Sequence, residues 1–142
     1  MMKIQTEQIR SISQDLQCGL KIFVNKETYE IKSIIDPDNL YSEPEFWEEE
    51  LEKIENEWTD LAVIKKMESW EAFRTMENFV DEIENEKFKQ DLMKILNRKS
   101  PFANFKAEIE SSQYRQRWFN FRDNIYEEFV TNQLKSENME FE

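Results

Sequence analysis

The chain of 142 residues contains no histidine, one glycine and one cysteine. Without histidine there is no imidazole base for a Ser-His-Asp or Cys-His site, and no imidazole ligand for a metal. Gly19 alone cannot supply a phosphate-binding P-loop or a dinucleotide-binding turn, because both motifs need several glycines. Cys18 alone can form neither an intrachain disulfide nor a zinc site. These absences exclude several large enzyme classes, and we expect no catalytic residue, no cofactor and no metal site.

Long apolar runs are also missing. No stretch approaches the ~20 apolar residues needed to cross a bilayer, and the first residues lack the apolar segment of a secretion signal. The chain carries 31 acidic and 19 basic residues, which gives a net charge of −12. Such a charge repels nucleic acid and anionic lipid as a whole. We therefore expect a cytoplasmic protein without membrane contact, in which Cys18 is a reduced, buried thiol.

Hydrophobic periodicity predicts an N-terminal helix followed by a small sheet. Apolar residues recur at helical spacing over residues 6–17, and Gly19 fits the position just past the end of that helix. The period changes to two over residues 20–25 and 29–35, which predicts a hairpin around a polar loop. A third short strand is predicted over residues 60–66.

In the middle of the chain, turn residues and a helix-capping motif precede a predicted helix. Residues 36–39 form a turn cluster of Asp, Pro, Asp and Asn, and residues 42–45 have the form of a capping box. An apolar stripe at i, i+4, i+7 and i+11 over residues 47–58 then predicts an amphipathic helix.

From residue 68 onward the apolar spacing is helical throughout, and the last helix is predicted over residues 112–134. The predicted fold class is α+β, with an N-terminal helix and a small antiparallel sheet of about three strands packed with a C-terminal helical array. We expect one domain over residues 1–135. Residues 136–142 are acidic and are expected to be a frayed tail.

The C-terminal third of the chain resembles a bacterial family known as uncharacterised protein family 0158. Members typically carry a small-residue turn, then Phe-x-x-Phe-Lys, then Trp-aromatic-x-Phe-basic. The residues that match these two motifs are Phe102, Phe105 and Lys106, followed by Trp118, Phe119, Phe121 and Arg122. The resemblance extends over most of residues 20–134. It implies a small cytosolic bacterial protein with a helical C-terminal unit, and it implies no activity.

This sequence departs from the family pattern at two places. Residues 98–101 are Arg-Lys-Ser-Pro where the family has a glycine-containing turn, and residues 103–104 are Ala-Asn where the family usually has a basic pair. The first change argues against a close backbone approach to a ligand at that turn. The second argues against an anion-binding role.

Acidic residues are concentrated between residues 43 and 60, where nine acids and one base give a local charge of −8. One interpretation is a surface that docks a basic protein partner, since charge steers such encounters. The alternative is a solvated helix face, because the apolar stripe already assigns the acids outward. The candidate acidic residues are Glu48, Glu49, Glu52 and Glu55.

Residues 97–122 carry a local charge of +4, and a basic and aromatic stripe is predicted on the last helix. Its members are Arg115, Phe119, Arg122 and Tyr126. Cations and rings on one face can hold phosphates and stack bases. Alternatively the rings widen a buried face, while the arginines lie along it and pair with the acidic helix.

Three functions therefore stay open. The first is a non-catalytic interaction or adaptor protein that binds another protein through its acidic surface. The second is a nucleic-acid-associated protein that uses the last helix. The third is a hydrolase based on carboxylates and a divalent metal, for which acids one helical turn apart supply oxygen ligands. The sequence leaves the oligomeric state open.

Overall fold

In the described part of the chain, one helix precedes a three-stranded sheet, one helix lies between its second and third strands, and four helices follow it. The structure is a computed structural model that describes residues 2–35 and 48–142. The elements in chain order are α1 (Thr6–Gln17), β1 (Leu20–Asn25), β2 (Ile31–Ile35), α2 (Glu48–Glu57), β3 (Leu61–Ile64), α3 (Ser69–Asp81), α4 (Glu86–Leu96), α5 (Pro101–Glu110) and α6 (Arg115–Ser136). The strand order is β2-β1-β3, and both pairings are antiparallel. The predicted α+β class is confirmed.

Most predicted elements lie where the periodicity places them, and the start of α6 shows what periodicity misses. The helix begins at Arg115 rather than at residue 112. The Ser112 hydroxyl donates to the Ile109 carbonyl at 2.7 Å and accepts from the Tyr114 N–H at 3.1 Å, so a serine-stabilised turn delays the helix. The turn predicted at 36–39 and the capping box predicted at 42–45 lie outside the described residues.

The chain divides into two compact units. The first unit comprises Met1–Lys66 together with Tyr126–Glu142, and the second comprises Met67–Ile125. The first unit is therefore discontinuous in sequence. The single-domain organisation expected from length stays a prediction.

In the first unit, both faces of the central strand β1 are covered. Successive strand side chains point to opposite faces. On one face, Ile22 and Val24 are fully buried in a core that contains residues of α1, β3 and the C-terminal half of α6. On the other face, Phe23 packs with Ile34 of β2 and with Ile54 and Trp58, which anchor α2. Burial of each such side chain stabilises the fold by about 1.5–3 kcal/mol.

A paired amide holds the C-terminal half of α6 against the end of β3. The Gln133 side chain accepts from the Lys65 N–H at 3.0 Å and donates to the Lys65 carbonyl at 2.7 Å. Val130 and Leu134 on the same half-helix are fully buried in the first core.

The β1–β2 loop lacks the Asn-Gly signal of a tight hairpin, and Asn25 organises it instead. This buried side chain accepts hydrogen bonds from the N–H groups of Glu27 (2.9 Å) and Thr28 (3.2 Å). The backbone N–H of Asn25 donates to the Glu30 carbonyl at 2.8 Å. Tyr29 takes a positive φ of 64° in this loop.

The tail expected to fray is instead tethered. The Ile4 N–H donates to the Glu140 carbonyl at 2.7 Å, and the Glu142 N–H donates to the Ile4 carbonyl at 3.0 Å. The Glu140 N–H donates to the Tyr29 hydroxyl at 2.9 Å, and Met139 is only 6% exposed. Apolar residues alternate here with glutamates, so a strand-like segment buries its apolar face while the acids reach solvent.

The second unit is built around aromatic rings. Trp118 of α6 lies 5.3 Å from the Phe79 ring, 5.0 Å from Phe105 and 6.4 Å from Phe121, measured between ring centroids. Buried aliphatic residues of α3, α4 and α5 complete this core. Phe105 and Trp118 both belong to the motifs that carry the family resemblance, and here they serve packing.

The only glycine of the chain ends α1. Gly19 has a φ of 88°, and its N–H donates to the Leu16 carbonyl at 3.1 Å. A residue with a Cβ is strained in this region. The preceding Cys18 is the C-cap of α1 and is exposed, so the expected burial of its thiol is wrong; a position at the helix end, off the apolar stripe, leaves it facing solvent.

We expect Gly19→Ala to lower the free energy of unfolding by about 1–2 kcal/mol, because alanine carries a Cβ into the left-handed region. Chemical denaturation followed by far-UV circular dichroism measures this difference. Gly19→Asn should lose less, since asparagine tolerates the left-handed region better than alanine. Equal stability of wild type and Gly19→Ala would contradict the assignment of strain to this position.

Candidate interaction surfaces

The acidic surface of α2 is defined here by Glu48, Glu49, Glu52 and Glu55, the four residues expected from the sequence. All four are exposed. On the opposite side of the helix, Ile54 is 1% exposed and packs under the sheet. The structure therefore brings the four predicted acids together on one solvent-facing side.

Few cations neutralise this helix. Lys53 lies 4.0 Å from Glu49, and Lys32 of β2 lies 3.6 Å from the neighbouring Glu50. Among the described residues, the carboxylates of Glu48, Glu52 and Glu55 have no ion pair. Exposed pairs such as these two contribute at most about 1 kcal/mol. Most of the negative charge on α2 is thus left to solvent.

Three of the four members of the basic and aromatic stripe of α6 belong to the second unit. The Arg115 and Arg122 guanidinium carbons lie 5.3 Å and 4.8 Å from the centre of the Phe119 ring, which is half-buried against the second core. Arg122 also forms an ion pair with Asp123 at 3.0 Å. Tyr126, the fourth predicted member, belongs to the first unit and packs against the first core.

Arg117 forms a clamp that sequence reasoning missed. Its guanidinium donates to the Glu84 carboxylate at 2.8 Å and to the backbone carbonyl of Glu82 at 2.9 Å. Glu82 is the C-cap of α3, so the cation satisfies a free carbonyl at a negative helix end. Because both partners lie more than 30 residues upstream in the chain, no local pattern signals the contact.

The clamp has an electrostatic signature on both partners. The hydrogen bond from Arg117 holds the pKa of the Glu84 carboxyl below its ordinary value of 4.5. The same bond raises the pKa of Arg117. The arginines of α6 with identified acidic partners, Arg117 and Arg122, are thus paired with Glu84 and Asp123 of the second unit.

Two further site types can be assessed within residues 2–35 and 48–142. No group of three or more acids and cysteines in that part of the chain is arranged to hold a metal ion. No helix described there is long and apolar enough to cross a membrane.

We expect Glu84→Gln to lower the melting temperature at pH 7, because the neutral amide loses the charge-assisted bond to Arg117. A lowered folded-state pKa contributes stability above the unfolded value, and that contribution is lost as pH falls through the folded pKa. The difference between wild type and variant should therefore shrink as the pH is taken below 4.5, the ordinary value for this carboxyl. Thermal unfolding across a pH series measures it. Glu108→Gln, at an exposed acid of α5, is the matched control, and a difference that stays constant with pH would count against the clamp.

Comparison with known proteins adds one finding. The family model for Uncharacterised protein family (UPF0158) matches residues 33–142. No curated protein and no solved structure matches the chain. The matched range contains both motifs that carry the resemblance, from Phe102 to Arg122, and it covers well over half of the sequence. The chain therefore belongs to Uncharacterised protein family (UPF0158).

Proposed function

We propose that this protein is a non-catalytic, cytoplasmic interaction protein that binds a basic segment of another protein through the acidic surface of α2. The proposal needs no bound cofactor and no residue in a catalytic role. It accounts for the concentration of charge on one exposed helix face.

The main observation that supports this proposal is that acidic residues continue to the C-terminal end of α2. Glutamates in the first turn, such as Glu48 and Glu49, stabilise the helix because they lie at the positive end of its dipole. Glu55 and Glu57 lie at the negative end, where the dipole disfavours them, and the last turn has no basic residue. Helix stability therefore does not account for these acids, whereas a basic partner does.

The spacing of the acids within the acidic surface of α2 destabilises the helix further. Glu48 and Glu52 are four residues apart and Glu52 and Glu55 three, so like charges are neighbours on the helix. Each such pair destabilises a helix by about 0.2–0.5 kcal/mol. A cationic partner relieves this repulsion when it binds, which increases the gain on association.

The test compares a neutralised variant with a matched control in a lysate of the native organism. The variant combines Glu48→Gln, Glu49→Gln, Glu52→Gln and Glu55→Gln. The control removes the same charge at four exposed acids elsewhere, with Asp91→Asn, Glu108→Gln, Glu128→Gln and Glu142→Gln. We expect wild type and control to capture the same basic protein, and the variant to bind it about tenfold more weakly or worse.

The affinity between the purified protein and the captured partner is then measured at two salt concentrations with one of them immobilised on a sensor surface. Binding through exposed charge weakens as salt rises, since the Debye length shortens. A partner that binds the neutralised variant as tightly as wild type would remove the acidic surface from the interaction. Capture of no distinct protein would count against the proposal as a whole.

Nucleic-acid association is the second candidate, and one observation favours it. Arg115 has no ion pair in the described part of the chain, and with Arg122 it flanks an aromatic ring. Against it, the two guanidinium groups already lie over Phe119, so a base would have to displace one of them to stack there. Asp123 also offsets the charge of Arg122. No observation favours the hydrolase alternative.

If the protein acts through the acidic surface of α2, it should not change the electrophoretic mobility of a labelled single-stranded oligonucleotide at low salt, because its net negative charge repels the oligonucleotide. An electrophoretic mobility assay measures this. A shift that falls with salt, and that Arg115→Ala with Arg122→Ala abolishes, would favour the nucleic-acid candidate instead.

A further inference from the structure

A cavity of about 120 Å³ opens on the second unit between α3 and α4. Its apolar lining includes Val80 and Leu96, which are buried, and Phe73, which is half-buried. Cofactor and drug-sized ligands occupy pockets of about 300–1,000 Å³. This cavity matches a single amino-acid side chain rather than such a molecule.

Two exposed apolar side chains lie at the cavity or against its lining, and a third lies on the same helix as part of that lining. Among the described residues, four large hydrophobic side chains are exposed, and three of them are Trp70 (64%), Met93 (40%) and Phe102 (44%) of the second unit. Met93 lines the cavity, and Phe102 packs edge-on against Phe73 at 6.3 Å. Clustered exposed apolar residues of this kind mark interaction sites, whereas single ones need no explanation.

Trp70 belongs to the same face of α3 as the polar wall of the cavity. Trp70, Glu77 and Asp81 are spaced i, i+7 and i+11, which places them in one row along the helix. The indole N–H of Trp70 donates to the Glu68 carboxylate at 2.8 Å, which fixes the ring orientation. The ring therefore offers a flat, oriented surface beside the row of acids.

The polar groups of the cavity are hydrogen-bond acceptors. Glu77 and Asp81 both line it, and neither carboxylate has an ion pair within residues 2–35 and 48–142. The Lys89 ammonium donates to the Asp81 backbone carbonyl at 3.4 Å rather than to its side chain. Asn97 donates its side-chain amide to the Met93 carbonyl at 2.8 Å, which leaves its oxygen as an acceptor. A ligand for this cavity must therefore supply donors, and a positive charge suits the two acids.

We propose that this groove binds the arginine side chain of a partner protein, within a segment that also presents apolar residues to Trp70 and Phe102. The arginine stem is apolar enough to lie on Phe73 and Met93, while its guanidinium donates to the carboxylates of Glu77 and Asp81. Arginine fits better than lysine because its planar group carries several N–H donors in a fixed arrangement and can donate to two carboxylates at once. The groove lies in the second unit and the acidic surface in the first, so the proposal does not rest on the proposed function.

The test uses the full chain and a capped heptapeptide with a central arginine flanked by leucines. Titration is followed by two-dimensional ¹H–¹⁵N NMR. We expect saturable shifts confined to residues 70–81 and 93–102. The same peptide with citrulline in place of arginine keeps the shape but loses the charge, and it should bind about five- to tenfold more weakly.

Matched variants separate the groove from general charge attraction. Glu77→Gln with Asp81→Asn should weaken arginine-peptide binding about five- to tenfold and abolish the preference over citrulline. The control, Asp91→Asn with Glu108→Gln, removes the same charge at exposed positions of α4 and α5 that do not line the cavity, and it should bind as wild type does. Both pairs replace exposed carboxylates, and the unshifted NMR spectrum outside the cavity verifies folding.

Four outcomes would overturn the proposal: no saturable shift, shifts that map to α2, equal binding of the citrulline peptide, or undiminished binding by the cavity variant. A fifth is self-association of the free protein with shifts at the same residues, because a second copy of the chain would then be the occupant. Failure of these tests leaves the α2 proposal untouched, since its variant and its readout concern other residues.

Discussion

Exclusion of charge from the interior is the constraint on which this structure depends. More than a third of the residues are charged, yet the buried polar residues of the described chain are Ser13, Asn25 and Thr75, none of which is charged. Transfer of an unpaired charge into a core is prohibitively unfavourable. Each helix or strand that borders solvent must therefore keep its charged side chains on the solvent face, and the distribution of charge in the sequence becomes a distribution over the surface. Aromatic side chains compensate for the scarcity of apolar residues, as the ring cluster around Trp118 illustrates.

The same constraint explains how far the sequence predicts the fold. Where only one face of an element is apolar, its period is visible, and α1 follows directly from it. The tail escaped prediction because Met139 and Phe141 alternate with acids, and seven residues are too few for composition to reveal the pattern. The boundary of α6 depended on a single hydroxyl, that of Ser112, which periodicity does not weigh. Cys18 was predicted wrongly for a different reason. Cysteine side chains are usually buried, but this general preference does not determine the direction of one thiol at the end of a helix.

The grouping of surface side chains was predictable only where the residues are neighbours in sequence. The acids of α2 are one helical turn apart, so their common face follows from spacing. Arg117 and Glu84, by contrast, meet through the folding of the second unit, and nothing near either residue indicates the other. The groove between α3 and α4 has the same origin: Glu77 and Asp81 lie on one helix, but Asn97 joins them only through packing. Tyr126 lies on the same helix as Phe119 and still packs into a different core, because α6 contributes to both units.

The discontinuity of the first unit has a consequence for how the protein is made. Val130, Leu134 and Met139 are buried in a core whose other members come from the first 64 residues. While the ribosome is still synthesising the chain, the sheet lacks these side chains, so that its Ile22 and Val24 face is covered only in part, by residues of α1. The second unit has no such dependence, since its residues are contiguous. Domains generally fold as units during synthesis, and exposed apolar strands invite misassembly. Premature termination between residues 125 and 130 would therefore release an incompletely covered sheet together with a complete second unit, and such a fragment is a natural substrate for chaperones and proteases.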